Sequence, residues 1–69
     1  MTNDFIDPHA KTMIEMVDDG QEWIVRIVED GNETVNAFVL EAYALAFAEG
    51  QRMRLGLNGI LRETNDTHL

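Results

Sequence analysis

The run Trp23-Ile24-Val25-Arg26-Ile27-Val28 decides the fold of this chain. Five of its six residues are β-branched or aromatic, which favours a β-strand. Successive side chains of a strand point to opposite faces, and here both faces carry apolar residues. One face holds Trp23, Val25 and Ile27, and the other holds Ile24 and Val28 on either side of Arg26. A strand with two apolar faces needs cover on both sides.

Short turns rich in aspartate and glycine flank this strand. Asp18-Asp19-Gly20-Gln21 precedes it, and Asp30-Gly31-Asn32 follows it. Glycine at such positions supplies the positive φ that tight hairpin turns require. The pattern predicts a first strand over 11–17 and a second over 22–29, joined as an antiparallel β-hairpin.

Residues 33–38 fit two descriptions. Thr34, Val35 and Phe38 favour a short third strand. Asn36 is equally suited to cap a helix that begins at the next residue. We expect the strand, with the earlier helix start as the alternative.

A helix is predicted over about 39–55. Most of its central residues are strong helix formers, and apolar residues recur at i, i+3, i+4 and i+7. This stripe consists of Val39, Ala42, Tyr43, Ala46, Gly50, Met53 and Leu57. The helix ends either at Gly50 or, as we prefer, at Gly56, because glycine favours the left-handed conformation that terminates many helices.

The predicted fold class is α+β, a two- or three-stranded antiparallel sheet packed on one long helix. Residues 11–57 form the single ββ(β)α domain, residues 1–10 a flexible N-terminal arm and residues 58–69 a C-terminal tail. A chain of 69 residues is near the lower size limit for independent stability, and this one has no cysteine for a disulfide. We therefore expect a homodimer.

The expected dimer interface combines surplus apolar residues of the second strand and of the helix. One helix covers one face of a small sheet, and this helix carries large apolar side chains in several directions. The interface residues expected from the sequence are Trp23, Val25, Ile27, Leu40, Tyr43, Leu45 and Phe47.

Acidic residues dominate the first half of the chain, whose overall net charge is −8. Residues 1–33 hold nine acidic and two basic residues, a net charge of −7, whereas residues 34–69 have a net charge of −1. Besides promoting solubility, this potential repels nucleic-acid backbones and attracts a basic protein surface. The expected partner-facing surface consists of Asp18, Asp19, Glu22, Glu29, Asp30 and Glu33.

The sequence lacks the residues on which most catalytic sites depend. It contains no serine and no cysteine, and its two histidines, His9 and His68, lie in the expected flexible ends. General acid–base catalysis needs a group held within hydrogen-bond reach of the substrate. We therefore expect neither catalytic activity nor a cofactor.

One spacing of oxygen-bearing side chains matches part of a calcium-binding loop. Positions 1, 3, 5, 7 and 12 of that pattern would be Asp30, Asn32, Thr34, Asn36 and Glu41. The pattern fails at position 6, where a sharp turn requires glycine and this chain has valine. It also requires a preceding helix where this chain has its most strand-like segment, so we expect no metal site.

These features indicate a small acidic protein–protein interaction or regulatory protein that acts as a homodimer. We expect no direct nucleic-acid binding and no membrane association, because the chain is acidic and no run approaches the ~20 apolar residues of a membrane span. The acidic N-terminus is unlike a signal peptide, so a cytoplasmic location is expected. One alternative is a small-ligand pocket between sheet and helix, lined by Trp23, Tyr43 and Phe47. Another is an acidic hairpin that mimics nucleic acid in the groove of a basic partner.

Overall fold

The computed structural model describes residues 11–64, which form a four-stranded mixed sheet packed against one helix. Its elements are β1 (Thr12–Asp18), β2 (Trp23–Glu29), β3 (Asn32–Phe38), α1 (Glu41–Leu55) and β4 (Leu61–Thr64). The strands lie in the order β3-β2-β1-β4. β2 is antiparallel to both β1 and β3, whereas β4 is parallel to β1. The predicted α+β class is confirmed.

The number of strands is a correction, because two or three antiparallel strands were expected and the sheet has four. β4 lies within 58–69, the segment expected to form a tail, and it pairs with β1 so that Leu61 lies beside Glu15. Four residues are too few for alternation to reveal a strand, and the strand they pair with is distant in sequence. The expected arm at 1–10 and the end of the expected tail at 65–69 lie outside the described residues.

Both predicted turns are present, and their chemistry explains the hairpins. Asp30 and Gly31 form the two-residue loop between β2 and β3 with φ of 54° and 85°, the two positive values of a type I′ turn. Between β1 and β2, the Asp19 Oδ1 atom accepts hydrogen bonds from the backbone N–H groups of Gln21 (2.9 Å) and Glu22 (2.7 Å). The carboxylate thereby closes the turn together with a backbone hydrogen bond from the Asp19 N–H to the Glu22 carbonyl at 3.1 Å.

The structure decides both alternatives that the sequence left open. Residues 33–38 belong to β3, and α1 begins at Glu41, two residues after the expected start. The helix continues through Leu55 and ends with Gly56 at φ 70°. The N–H groups of Gly56 and Leu57 donate to carbonyls of the last helical turn, which is the paired bonding of a Schellman motif.

One face of the sheet packs against α1 and forms the core. The buried apolar residues are Ile14, Met16, Val25, Ile27, Ala44 and Ala48. The helix contributes only alanines to this set, so its backbone can approach the sheet closely. Beside them, the rings of Phe38 and Phe47 pack with centroids 5.3 Å apart. The helix therefore covers the face of β2 that carries Trp23.

Candidate interaction surface

The face of the sheet opposite α1 has no other element packed on it within residues 11–64. Alternation and strand register place eleven side chains there, and seven of them are apolar. They are Met13, Glu15, Val17, Ile24, Arg26, Val28, Glu33, Val35, Ala37, Leu61 and Glu63. We refer to this surface as the open face.

The open face includes two of the most exposed large apolar residues in the described part of the chain. Val35 on β3 is 55% exposed, and Leu61 on β4 is 56% exposed. The apolar open-face residues of β1 and β2 are half-buried, because neighbouring strands shield one another's side chains. Several apolar side chains exposed together on one uncovered face are typical of an interaction site.

A charged cluster crosses the centre of the open face. Arg26 donates from Nε to Glu15 Oε1 at 3.0 Å and from Nη1 to Glu33 Oε2 at 3.5 Å. The hydrogen bond to Glu15 is the main cause that raises the pKa of Arg26 above its usual value. The sequence showed an arginine among apolar neighbours but did not reveal its partners, because the strand register determines them.

The residues that the sequence assigned to the dimer interface do not all lie on one surface. Val25 and Ile27 are buried beneath α1 of the same chain and are not accessible to a second copy. Three others of the expected interface residues are half-buried beside the same core, namely Trp23, Leu45 and Phe47. Leu40 and Tyr43 are exposed. An interface that includes β2 must therefore use the other side of that strand, which belongs to the open face.

The outer surface of α1 is a second uncovered apolar surface in the described region. The apolar stripe found in the sequence points away from the sheet. Its helical members, all exposed, are Ala42, Tyr43, Ala46, Gly50 and Met53. Ala44 and Ala48 face the sheet, and a spacing of 3.6 residues per turn places Ala46 on the opposite side. Three members of the stripe are small, whereas its two large members, Tyr43 and Met53, are 62% and 68% exposed.

The acidic residues expected to form one surface lie at the two ends of the sheet. The β1–β2 turn carries Asp18, Asp19 and Glu22, and the β2–β3 turn carries Glu29, Asp30 and Glu33. Strands of this length separate the two groups by about 20 Å. Glu29 and Glu33 are also engaged in ion pairs, with Arg54 at 3.1 Å and with Arg26 at 3.5 Å. The structure does not bring the six residues together.

The three side chains expected to line a ligand pocket have separate surroundings. Phe47 packs against Phe38, and the Arg62 guanidinium lies 6.0 Å from the centroid of the Trp23 ring. Tyr43 is exposed on the outer surface of α1. Within residues 11–64 no cavity opens between the sheet and the helix.

The calcium-loop spacing falls largely on extended backbone. Asn32, Thr34 and Asn36 belong to β3, where alternate residues are about 6.6 Å apart. Oxygen atoms spaced in this way cannot converge on one ion at the roughly 2.3–2.6 Å that calcium requires. In the described ranges of the chain, no three acidic or histidine side chains are grouped so as to hold a metal ion.

No protein-family model matches this sequence, and no curated protein or solved structure shows significant similarity to it. Among residues 11–64, no helix has both the length and the apolar character needed to cross a membrane. Among the surfaces of residues 11–64, the open face combines uncovered apolar side chains with a paired charged cluster.

Proposed function

We propose that the protein is a non-catalytic interaction protein that acts as a homodimer through the open face of its sheet. The observation that carries this proposal is the set of seven apolar side chains on the side of the sheet opposite α1. Water contact with these side chains is unfavourable, and a second copy of the same surface would remove it.

The open face has the extent of a small dimer interface. Strands of seven residues extend about 23 Å, and four strands span about 15–19 Å across the sheet. The flat area is therefore about 400 Å² before the relief of the side chains is counted, which is roughly half of the 800 Å² per partner of a standard interface.

The small core supports coupling between folding and association. Only six apolar residues are buried within the described chain, and two of these are alanines. Each large apolar side chain that becomes fully buried contributes roughly 1.5–3 kcal/mol. Partial burial of the open face in a dimer would therefore add appreciably to a stability that is typically about 5–15 kcal/mol.

Two lysine substitutions test which surface forms the dimer. Leu61→Lys places a positive charge on the open face. Glu15 of the same chain lies beside this position and can form an ion pair with the new lysine. Met53→Lys is the matched control, because Met53 is 68% exposed on the outer surface of α1. Association is measured by light scattering at about micromolar concentration and by melting over roughly a hundredfold dilution.

We expect a wild-type dimer whose melting temperature rises with protein concentration. Leu61→Lys should be a folded monomer or dissociate at higher concentration, whereas Met53→Lys should remain dimeric. A wild-type chain that is monomeric and melts independently of concentration would overturn the proposal. Dissociation by Met53→Lys alone would move the interface to the helix.

A further inference from the structure

We infer that the second copy docks on the open face about a two-fold axis nearly parallel to the strands and midway between β1 and β2. In this register, Arg26 of each chain faces Glu15 of the other. The inference rests on the proposed homodimer and adds a specific geometry to it.

The inferred orientation of the second copy rests on the central row of side chains on the open face. Across the sheet from β3 to β4, the strand register aligns Val35, Arg26, Glu15 and Leu61. The order is therefore apolar, positive, negative, apolar. The outer two side chains are both more than half exposed, and the inner two are joined by the 3.0 Å ion pair.

A two-fold axis between β1 and β2 turns this order into self-complementarity. The operation exchanges the positions of β1 and β2, and those of β3 and β4, while it preserves height along the strands. Val35 then faces Leu61 of the second copy, and Arg26 faces its Glu15. The four central charges alternate in sign around the axis, so each guanidinium gains a carboxylate of the other chain in addition to Glu15 and Glu33 of its own.

Other simple placements of the axis oppose like charges. An axis along β2 would place Arg26 over its own copy, and an axis along the central row would place each residue of that row over its own copy. Like charges brought together in an interface oppose association, so these placements are disfavoured.

The flanking rows fit the same register. Toward the β1–β2 turn, Ile24 faces Val17 of the second copy, and toward the other end Val28 faces Met13. Glu33 and Glu63 lie on the edge strands of the sheet, where water can still reach them. Apolar contacts thus surround the charged centre on all sides.

The desolvation cost of the central charges is reduced before docking. In the described chain, the side chains of Glu15 and Arg26 are only 15% and 35% exposed. Much of their hydration is therefore already lost on folding, and docking supplies an additional oppositely charged partner. A paired charge at the centre also penalises every misaligned register, which gives the dimer its specificity.

A charge swap tests the register while it retains an ion pair between positions 15 and 26 of the same chain, although it removes the 3.5 Å pair of Arg26 with Glu33. The double variant Glu15→Arg/Arg26→Glu retains one positive and one negative residue side by side, and with itself it rebuilds the alternating ring. Mixed with the wild type, it would place arginine over arginine and glutamate over glutamate. Because the swap leaves the mass unchanged, the wild-type chain is labelled with ¹⁵N and the mixture is analysed by native mass spectrometry.

We expect the swapped chain to dimerise with itself and the mixed dimer to be depleted at least tenfold from its statistical share. The matched control exchanges a different ion pair, Glu41→Arg/Arg62→Glu, on the helix side of the sheet. This control should form mixed dimers with labelled wild type freely. Free mixing of the Glu15/Arg26 swap would overturn the register while leaving the homodimer intact. A folded swapped chain that stays monomeric would also contradict the register, whereas a monomeric wild type would refute the homodimer itself.

Two single variants give a second readout that does not depend on folding of the double variant. Glu15→Arg alone and Arg26→Glu alone each place like charges opposite one another, so each should be predominantly monomeric. In a one-to-one mixture, every arginine of the first variant faces a glutamate of the second, and a heterodimer should form. Homodimers of comparable stability in both single variants would overturn the inferred geometry.

Discussion

Arg62 on β4 donates from Nη2 to Oε2 of Glu41, in the first turn of α1, at 2.8 Å. The same guanidinium lies 6.0 Å from the centroid of the Trp23 ring, within the range of a cation–π contact. One side chain on a four-residue strand thus contacts both the helix and β2. This bridge ties the edge strand β4 to the remainder of the domain.

Replacement of Arg62 by alanine should loosen β4. Because Arg62 and Glu41 are nearly half exposed, we expect the free energy of unfolding to fall by only about 0.5–1 kcal/mol. Urea denaturation measures that loss, and amide hydrogen exchange of residues 61–64 should become faster. Arg54→Ala, which removes a similarly exposed pair with Glu29, is the control and should leave exchange in β4 unchanged.

Protonation of Asp19 should weaken the β1–β2 turn. Backbone N–H groups of Glu22 and Gln21 donate to its carboxylate and lower the pKa of Asp19 below the ordinary value of 3.8. A depressed pKa in the folded state means that the carboxylate stabilises the fold above pH 3.8, and that this contribution is lost as pH falls through the lowered pKa. Asp19→Asn keeps an oxygen acceptor, so it should retain the turn and lose this part of the pH dependence. A pKa for Asp19 above 3.8 in an NMR titration would contradict the account.

Replacement by alanine of Gly50, within α1, and of Gly56, at its C-terminal end, should change the free energy of unfolding in opposite directions. Gly56 has φ 70°, where a β-carbon is strained, so Gly56→Ala should lower the free energy of unfolding by about 1 kcal/mol. Gly50 lies within the helix with open space around the position of a β-carbon, so Gly50→Ala should raise it by about 0.5–1 kcal/mol. Chemical denaturation of both variants at equal protein concentration checks the pair, and changes of the same sign would refute the assigned roles.

The elements that local sequence specifies were predicted well. The aspartate–glycine turns and the alternation in β2 identified the hairpin, and Gly56 identified the end of α1. β4 was missed because its pairing with β1 depends on the path of the whole chain after the helix. Thr34 and Asn36 gave conflicting signals because they lie on an edge strand, where packing imposes little hydrophobic pattern.

The open face could be predicted only in part. The sequence showed that both faces of β2 are apolar, but alternation alone does not say which face the helix covers. That choice depends on packing, in which Ala44 and Ala48 let α1 approach the side that carries Val25. The apolar stripe on the helix suggested a buried face, yet its helical members point outward, because α1 meets the sheet through a different side that carries Ala44, Phe47 and Ala48. The alignment of Arg26 with Glu15 requires the register, which no local pattern encodes.

Leucine substitutions on opposite sides of α1 separate core packing from association. Ala48 is fully buried against the sheet, so Ala48→Leu should overpack the core and lower the free energy of unfolding by about 1–3 kcal/mol. Ala46 is exposed on the outer surface, so Ala46→Leu should change stability by less than about 0.5 kcal/mol. Since the proposed interface lies on the other side of the sheet, Ala46→Leu should also leave the dimer mass in light scattering unchanged. A loss of the dimer on this substitution would show that the small-residue stripe of α1, and not the open face, contacts the second copy.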